Sequence, residues 1–238
     1  MIWAVVPAAG RGSRFGGDLP KQYAPLYGRT VLHHTLLALA RHRSVEGIMV
    51  ALAPGDPHWP GFRELAGKPV LQCDGGRERA DSVLAALQAL PKSVRERDWV
   101  LVHDAARPCV TRKDIDRLIH MLHGHDVGGL LGMPVHDTMK RTDAADRIVE
   151  TVARTHLWRA FTPQMFRFGL LFDALQGALN AAYLVTDEAS AVEWSGRRPI
   201  MIESRADNIK ITQPEDLALA AYYLARQEEE SAADWHTP

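Results

Sequence analysis

Cysteine is nearly absent. Cys73 and Cys109 are the only two in 238 residues. So few thiols in a chain of this length exclude a disulfide framework and point to a reducing, cytoplasmic setting. Long apolar runs are lacking as well. A membrane helix takes about 20 apolar residues in succession, and the N-terminal "MIWAVVPAAG" is short and has no basic residue before it, unlike a signal peptide. No charge of one sign prevails, since 28 basic and 29 acidic residues leave a formal net charge of −1. Nothing therefore draws the whole molecule to nucleic acid or to an anionic membrane, and any polyanion site must be local. Nucleophile machinery is missing too: Ser82 lies in no nucleophile elbow, and no triad is found. His33, His34, His120, His123 and His125 fall on or after expected helices without metal-ligand spacing, and Cys109 reads as a small buried residue.

What is present is alternation. Apolar runs at 2–6, 47–53, 69–73, 99–103 and 128–135 read as strands, and three-and-four spacing at 30–43, 78–90 and 111–123 reads as helices. Thr111 opens the last of these helices, with Asp114 three positions on. Strands separated by helices imply an α/β, Rossmann-like architecture: a mostly parallel sheet flanked by helices, with ligands at the carboxyl ends of the strands. The chain is long enough for one substantial core and is expected to form a single domain.

The pattern breaks at 136–158, where "HDTMKRTDAADRIVETVARTHLW" alternates polar and apolar residues about a turn at 143–146. That reads as a protruding β-hairpin arm, whose Ile148, Val149 and Val152 call for cover by a second subunit. Helices at 167–179 and 187–194, strands near 199–203 and 208–211, and a closing helix from Pro214 complete the pattern. Apolar periodicity fades after Ala225, so residues from about 228 to 238 are expected to form a disordered tail.

The loop after the first strand, "PAAGRGSRFGGDLPKQY", combines glycine with Arg11, Arg14 and Lys21. It is no dinucleotide fingerprint: the third glycine, Gly16, falls one place late, and no acidic residue follows about 20 positions on. It lacks the Gly-Lys-Ser/Thr of a Walker loop as well. A merely solvated turn is the plain alternative. However, Gly10 and Gly12 permit close backbone approach to an anion, and Arg14 and Lys21 add full charges suited to a triphosphate and its reacting state.

"PAAGRGSR" followed by "PKQY", then "GGRERADSV", "VHDAARP", "PVHDTMKR", "VTDEAS" and "RADNIKIT", run in the order of a known family. With these motifs the chain resembles the 2-C-methyl-D-erythritol 4-phosphate cytidylyltransferases of the non-mevalonate isoprenoid pathway. The resemblance implies CTP as donor, Mg²⁺ or another divalent cation, and a homodimer with crossed arms. It places Ala8, Ala9, Gly76 and Ser82 around cytosine and ribose, and Gly10, Gly12, Arg14, Lys21 and Lys210 around the triphosphate. Arg14 and Lys21 would be the catalytic pair. Asp104 and Asp207 would serve metal and ribose, and Arg107, Thr138, Arg154, Thr162 and Thr186 the acceptor, with Thr138 and Arg154 coming from the partner. Ala153 departs from the pattern, which has an acidic residue before the arginine in many relatives.

No general base is needed for such a transfer. A phosphate monoester, with a second pKa near roughly 6, carries its own nucleophilic oxygen at neutral pH. Positioning and charge neutralisation would then be the whole of the chemistry. A cytidylyltransferase for another polyol phosphate, such as ribitol 5-phosphate, would use the same donor residues. A larger sugar-1-phosphate nucleotidyltransferase and a non-catalytic nucleotide-binding regulator are the further alternatives.

Overall fold

The computed structural model describes residues 1–10, 12, 15–16 and 19–234. Arg14 therefore lies outside the described residues. Eight strands make one sheet in the order β12-β8-β11-β7-β1-β4-β6-β5. Its centre is β1 (Ile2–Pro7), flanked by β4 (Gly47–Leu52) and β7 (Trp99–Val102), both parallel to it. On one side follow β6 (Lys68–Asp74) and the short antiparallel β5 (Glu64–Leu65). On the other lie β11 (Trp158–Arg167), β8 (Gly128–Pro134) and β12 (Ile200–Glu203), of which only β11 runs antiparallel. The minor ribbon of β2 (Pro25–Leu26) and β3 (Arg29–Thr30) stands outside the sheet.

The central strands are apolar throughout because both faces are covered, as expected of a parallel sheet. Ile2, Ala4 and Val6 of β1 join a cluster with Leu32, Leu36 and Leu39 of α1 (Val31–Ala40) and Ile115, Leu118 and Leu122 of α3 (Arg112–Leu122). Trp3 and Val5 face the opposite way, toward α2 (Arg79–Gln88), α4 (Phe168–Asn180) and α5 (Glu188–Trp194). The period-two alternation of one strand thus feeds two cores. Thr111 caps α3 as its sequence implies: its Oγ1 accepts from Asp114 N–H at 3.1 Å, and Asp114 Oδ2 accepts from Thr111 N–H at 3.0 Å.

The strands and helices expected from alternation are all present within a few residues, with three corrections. The first is β11, which sequence periodicity missed because "WRAFTPQMFR" carries Pro163 at its middle. A proline cannot donate to a ladder and is tolerated at a bulge. Here the pairing of β11 with β8 shifts register between Ala160 and Gln164, which accommodates it. The second concerns 208–211, an extended connection rather than a strand. Its Ile211 N–H reaches the Ala106 carbonyl at 2.8 Å, but no ladder forms. The third is the C-terminus, where α6 (Asp216–Asp234) runs on into the expected tail, of which residues 235–238 lie outside the described residues. Glu228 to Glu230 are good helix formers, and Arg226 pairs with Glu230 one turn on at 3.1 Å.

The hairpin arm is built as its turn residues imply. Strands β9 (Met139–Thr142) and β10 (Ile148–Val152) pair antiparallel, and Asp143 Oδ1 accepts from the N–H groups of Ala145 and Arg147 to close the turn. Ile148 and Val149 remain 66% and 63% exposed, which is unusual for β-branched apolar residues. Among the described residues no helix is long and apolar enough to cross a membrane.

Candidate active site

Two cavities adjoin at the carboxyl ends of β1 and β7. The first, of about 230 Å³, is lined by the glycine loop after β1 (Ala8, Ala9, Gly10, Gly12), by Lys21 and by the turn before α2 with Gly76 and Ser82. The second, of about 220 Å³, is lined by Arg107, Phe161, Thr162 and Thr186. Arg79, Asp104 and Lys210 line both and so form their common wall.

The glycine loop is shaped by a residue the sequence did not single out. Gln22 sits in a single 3₁₀ turn, Lys21–Tyr23, and its Nε2 donates to the carbonyls of Ala8 at 2.8 Å and Gly10 at 3.0 Å. Next to it, Lys21 lays its side chain along the loop and donates from Nζ to the Ile211 carbonyl at 3.0 Å. Gly12 adopts φ +67°, a conformation that favours glycine, and a Cβ there would also crowd Lys21 Cγ and Cδ at 3.0 Å. Gly76 is required by space alone: a Cβ would fall 2.2 Å from Asp81 Cβ. Buried Ser82 closes that turn by accepting from Gly76 N–H at 3.1 Å.

Asp104 is the electrostatic centre. Its Oδ1 accepts from Arg79 Nε at 3.0 Å, while Oδ2 meets Lys210 Nζ at 2.9 Å and Arg107 Nε at 3.4 Å. Burial alone would raise its pKa, but Arg79, Lys210 and Arg107 outweigh that and hold the carboxyl far below the usual carboxylate range. Arg107 is itself buried, donates to the Asn208 carbonyl at 2.7 Å and stacks 4.9 Å from the centroid of Phe161.

The main chain of Asp104 is set by a relay that begins at His103. The Arg107 carbonyl can only accept, so His103 Nε2 at 3.0 Å carries the proton and Nδ1 is the acceptor. Thr162 Oγ1 therefore donates to Nδ1 at 2.9 Å and accepts from Asp104 N–H at 3.0 Å. Thr162 lines the second cavity, yet its hydroxyl proton is spent on His103. Desolvation in full burial pulls His103 down to about 4, which keeps this tautomer neutral at physiological pH.

The remaining sequence-derived positions divide. Thr186 lines the second cavity. Thr138 and Arg154 are exposed on the arm and line neither cavity in this chain; Arg154 Nη1 donates to the His136 carbonyl. Asp207 also lines neither cavity, and both its oxygens are held by Arg205. Of the two carboxylates expected at the metal, only Asp104 is therefore offered to the cavities as the side chains stand. Asp104 already answers three cations, Asp207 answers one, and no group of three or more His, Cys, Asp or Glu stands together among the described residues. Cys109 is fully buried with its thiol pushed up to about 12 by desolvation, so it is no nucleophile. Arg79 and Glu188 escaped notice within "GGRERADSV" and "VTDEAS" because charge at a first helical turn is common.

The family model for 2-C-methyl-D-erythritol 4-phosphate cytidylyltransferase matches residues 2–226. A curated protein of that name from Ectopseudomonas mendocina (strain ymp) is 53% identical over 218 residues, covering 91% of this chain and 93% of its own. Another, from Vibrio vulnificus (strain YJ016), is 49% identical over 226 residues, covering 95% of each. Among solved structures, the Francisella tularensis 2-C-methyl-D-erythritol 4-phosphate cytidylyltransferase superposes with a TM-score of 0.81 at 35% identity, covering 93% of this chain and 99% of that one. Matched nearly end to end in sequence and in fold, the chain belongs to the 2-C-methyl-D-erythritol 4-phosphate cytidylyltransferase family.

Proposed function

We propose that this chain transfers CMP from CTP to 2-C-methyl-D-erythritol 4-phosphate, releasing pyrophosphate and forming 4-diphosphocytidyl-2-C-methyl-D-erythritol for isoprenoid precursor synthesis. The observation that carries the reading is the pair of adjoining cavities with one charged wall, Arg79, Asp104 and Lys210. The glycine loop and Lys21 suit the first cavity to the triphosphate, and Arg107 suits the second to an acceptor phosphate.

The reaction then needs little beyond placement. The acceptor's phosphate oxygen attacks the α-phosphorus in line, a P–O bond forms, and the bond to pyrophosphate breaks with its electrons leaving on the pyrophosphate. Two anions must approach each other, and cations on both sides of the wall offset their repulsion. Lys21, and Arg14 on the same loop, would stabilise charge on the α-phosphate and the leaving group, while Lys210 would hold the nucleotide. A divalent cation would add charge neutralisation beside the triphosphate, with Asp104 the carboxylate that both cavities offer to hold it, because Mg²⁺ uses few carboxylates and several phosphate or water ligands.

The arm completes the picture. Thr138 and Arg154 would reach the acceptor cavity of a second subunit, and pairing would cover Ile148 and Val149. The homodimer is thus part of the proposal, as is a cytoplasmic location. A pyrophosphate-release assay with CTP, Mg²⁺ and a panel of polyol phosphates tests it. Turnover should be highest with 2-C-methyl-D-erythritol 4-phosphate. Preference for ribitol 5-phosphate would reassign the acceptor, and CTP binding without release would make the chain a regulator.

A further inference from the structure

Glu188 has no part in the transfer just described, and its surroundings are costly. It is 1% exposed, at the first position of α5. Both its oxygens accept from Arg79, Nη1 at 2.7 Å and Nη2 at 3.1 Å. The same guanidinium turns its Nε to Asp104 Oδ1 at 3.0 Å. Three of its donors are therefore committed to two carboxylates, and a planar fork held that way cannot rotate.

The consequence falls on Asp104. With Oδ1 claimed by Arg79, the carboxylate presents Oδ2 to Lys210 and Arg107. Charge points the same way. Three cations meet one carboxylate at Asp104, and the charge of Arg79 works against that of Arg107. Glu188 supplies the second negative charge that lets them stand together. A purely structural tie between α2 and α5 is the plainer reading. However, buried ion pairs seldom stabilise a fold more than apolar packing of the same volume. Here the Arg79 end stands in the wall common to both cavities, and Glu188 is buried behind it and lines neither.

We infer that Glu188 and Arg79 are a positioning pair: Glu188 fixes the guanidinium, the guanidinium orients Asp104, and Asp104 places Lys210 and Arg107 on the two sides of the reacting phosphates. This rests on the transferase reading above. Neither residue is asked to touch a reacting atom.

Steady-state kinetics of the full chain, with CTP dissociation constants and thermal midpoints taken in parallel, test the pair. Glu188→Gln keeps the shape and removes the charge. It should lower kcat by roughly tenfold or more, the scale of a small misplacement at a reacting centre, while CTP affinity changes far less. Glu188→Asp should recover part of the loss. Arg79→Lys should fail like Glu188→Gln, because one ammonium cannot bridge both carboxylates. Glu188→Gln combined with Arg79→Met should be no slower than Arg79→Met alone. The pair is refuted by near-normal kcat in Glu188→Gln and Arg79→Lys, by additive losses, or by losses that follow the thermal midpoint only. If Glu188→Gln does not fold, Arg79→Lys carries the same expectation. An inactive wild type would count against the transferase reading, whereas an active wild type alongside an equally active Glu188→Gln counts against the pair alone.

Discussion

Lys21 illustrates how little one charged residue needs to do alone. It is held by its neighbours: Gln22 anchors the turn, Gly12 leaves room for its methylenes, and the Ile211 carbonyl receives its ammonium. Such preorganisation would limit the reordering needed when a phosphate arrives, which is the usual source of transition-state stabilisation by fixed charges. Lys21→Ala should therefore lower turnover by about two orders of magnitude, in line with the loss of one such donor, with the thermal midpoint nearly unchanged. Pyrophosphate-release kinetics beside a melting curve would check this; near-normal turnover would remove Lys21 from the catalytic pair. Lys21 was legible in the sequence because a cation in a glycine loop has few other uses. Gln22 was not, since an amide becomes informative only once the carbonyls it binds are brought within reach.

At the scale of elements, the arm is where the fold leaves β-branched apolar side chains most exposed. Its turn and pairing satisfy the backbone locally, yet Ile148 and Val149 stay in solvent and Arg154 is far from any role of its own. If arms cross, a chain with Lys21→Ala and a chain with Arg154→Ala should complement each other. One site of the mixed dimer would hold both lesions, and the other would be intact. An equimolar, subunit-exchanged mixture should then recover about a quarter of wild-type activity at low acceptor concentration, since about half the dimers are mixed and one site in each works. No recovery would place the arm in its own subunit's site. The hairpin could be read from its alternation and its Asp-rich turn. Strand β11 could not, because Pro163 hides a strand whose bulge is set by the neighbouring β8.

Over the whole molecule, burial of histidine makes the fold sensitive to acid. His103 is pulled down to about 4 by desolvation, against roughly 6.5 in the unfolded chain. Between those values the unfolded chain binds more protons, so stability falls as pH drops from about 6.5 toward 4. Burial lowers His34 and His42 in the same direction. Replacing His103 with Gln removes one of these contributions. The variant should lose less stability than wild type between pH 7 and pH 5, by about 2 kcal/mol. Denaturant unfolding at the two pH values measures it, and equal losses in both proteins would show that His103 titrates normally. Protonation would also require Nδ1 to donate, breaking the bond from Thr162 that sets the Asp104 main chain.

The sequence by itself determined the α/β alternation, the two-faced apolar strands, the cap at Thr111, the hairpin and the glycine loop with its lysine. Each of these depends on neighbours a few positions apart, where periodicity and local hydrogen bonding decide the outcome. Only the tertiary structure decided which charges meet. Arg79, Asp104, Glu188 and Lys210 come from four separate segments and form one network around the two buried carboxylates, Asp104 and Glu188. Asp207 is held through both its oxygens by Arg205, a pairing that sequence alone did not announce. Burial strengthens electrostatic pairing and depends on every packed element at once, so no local pattern announces it.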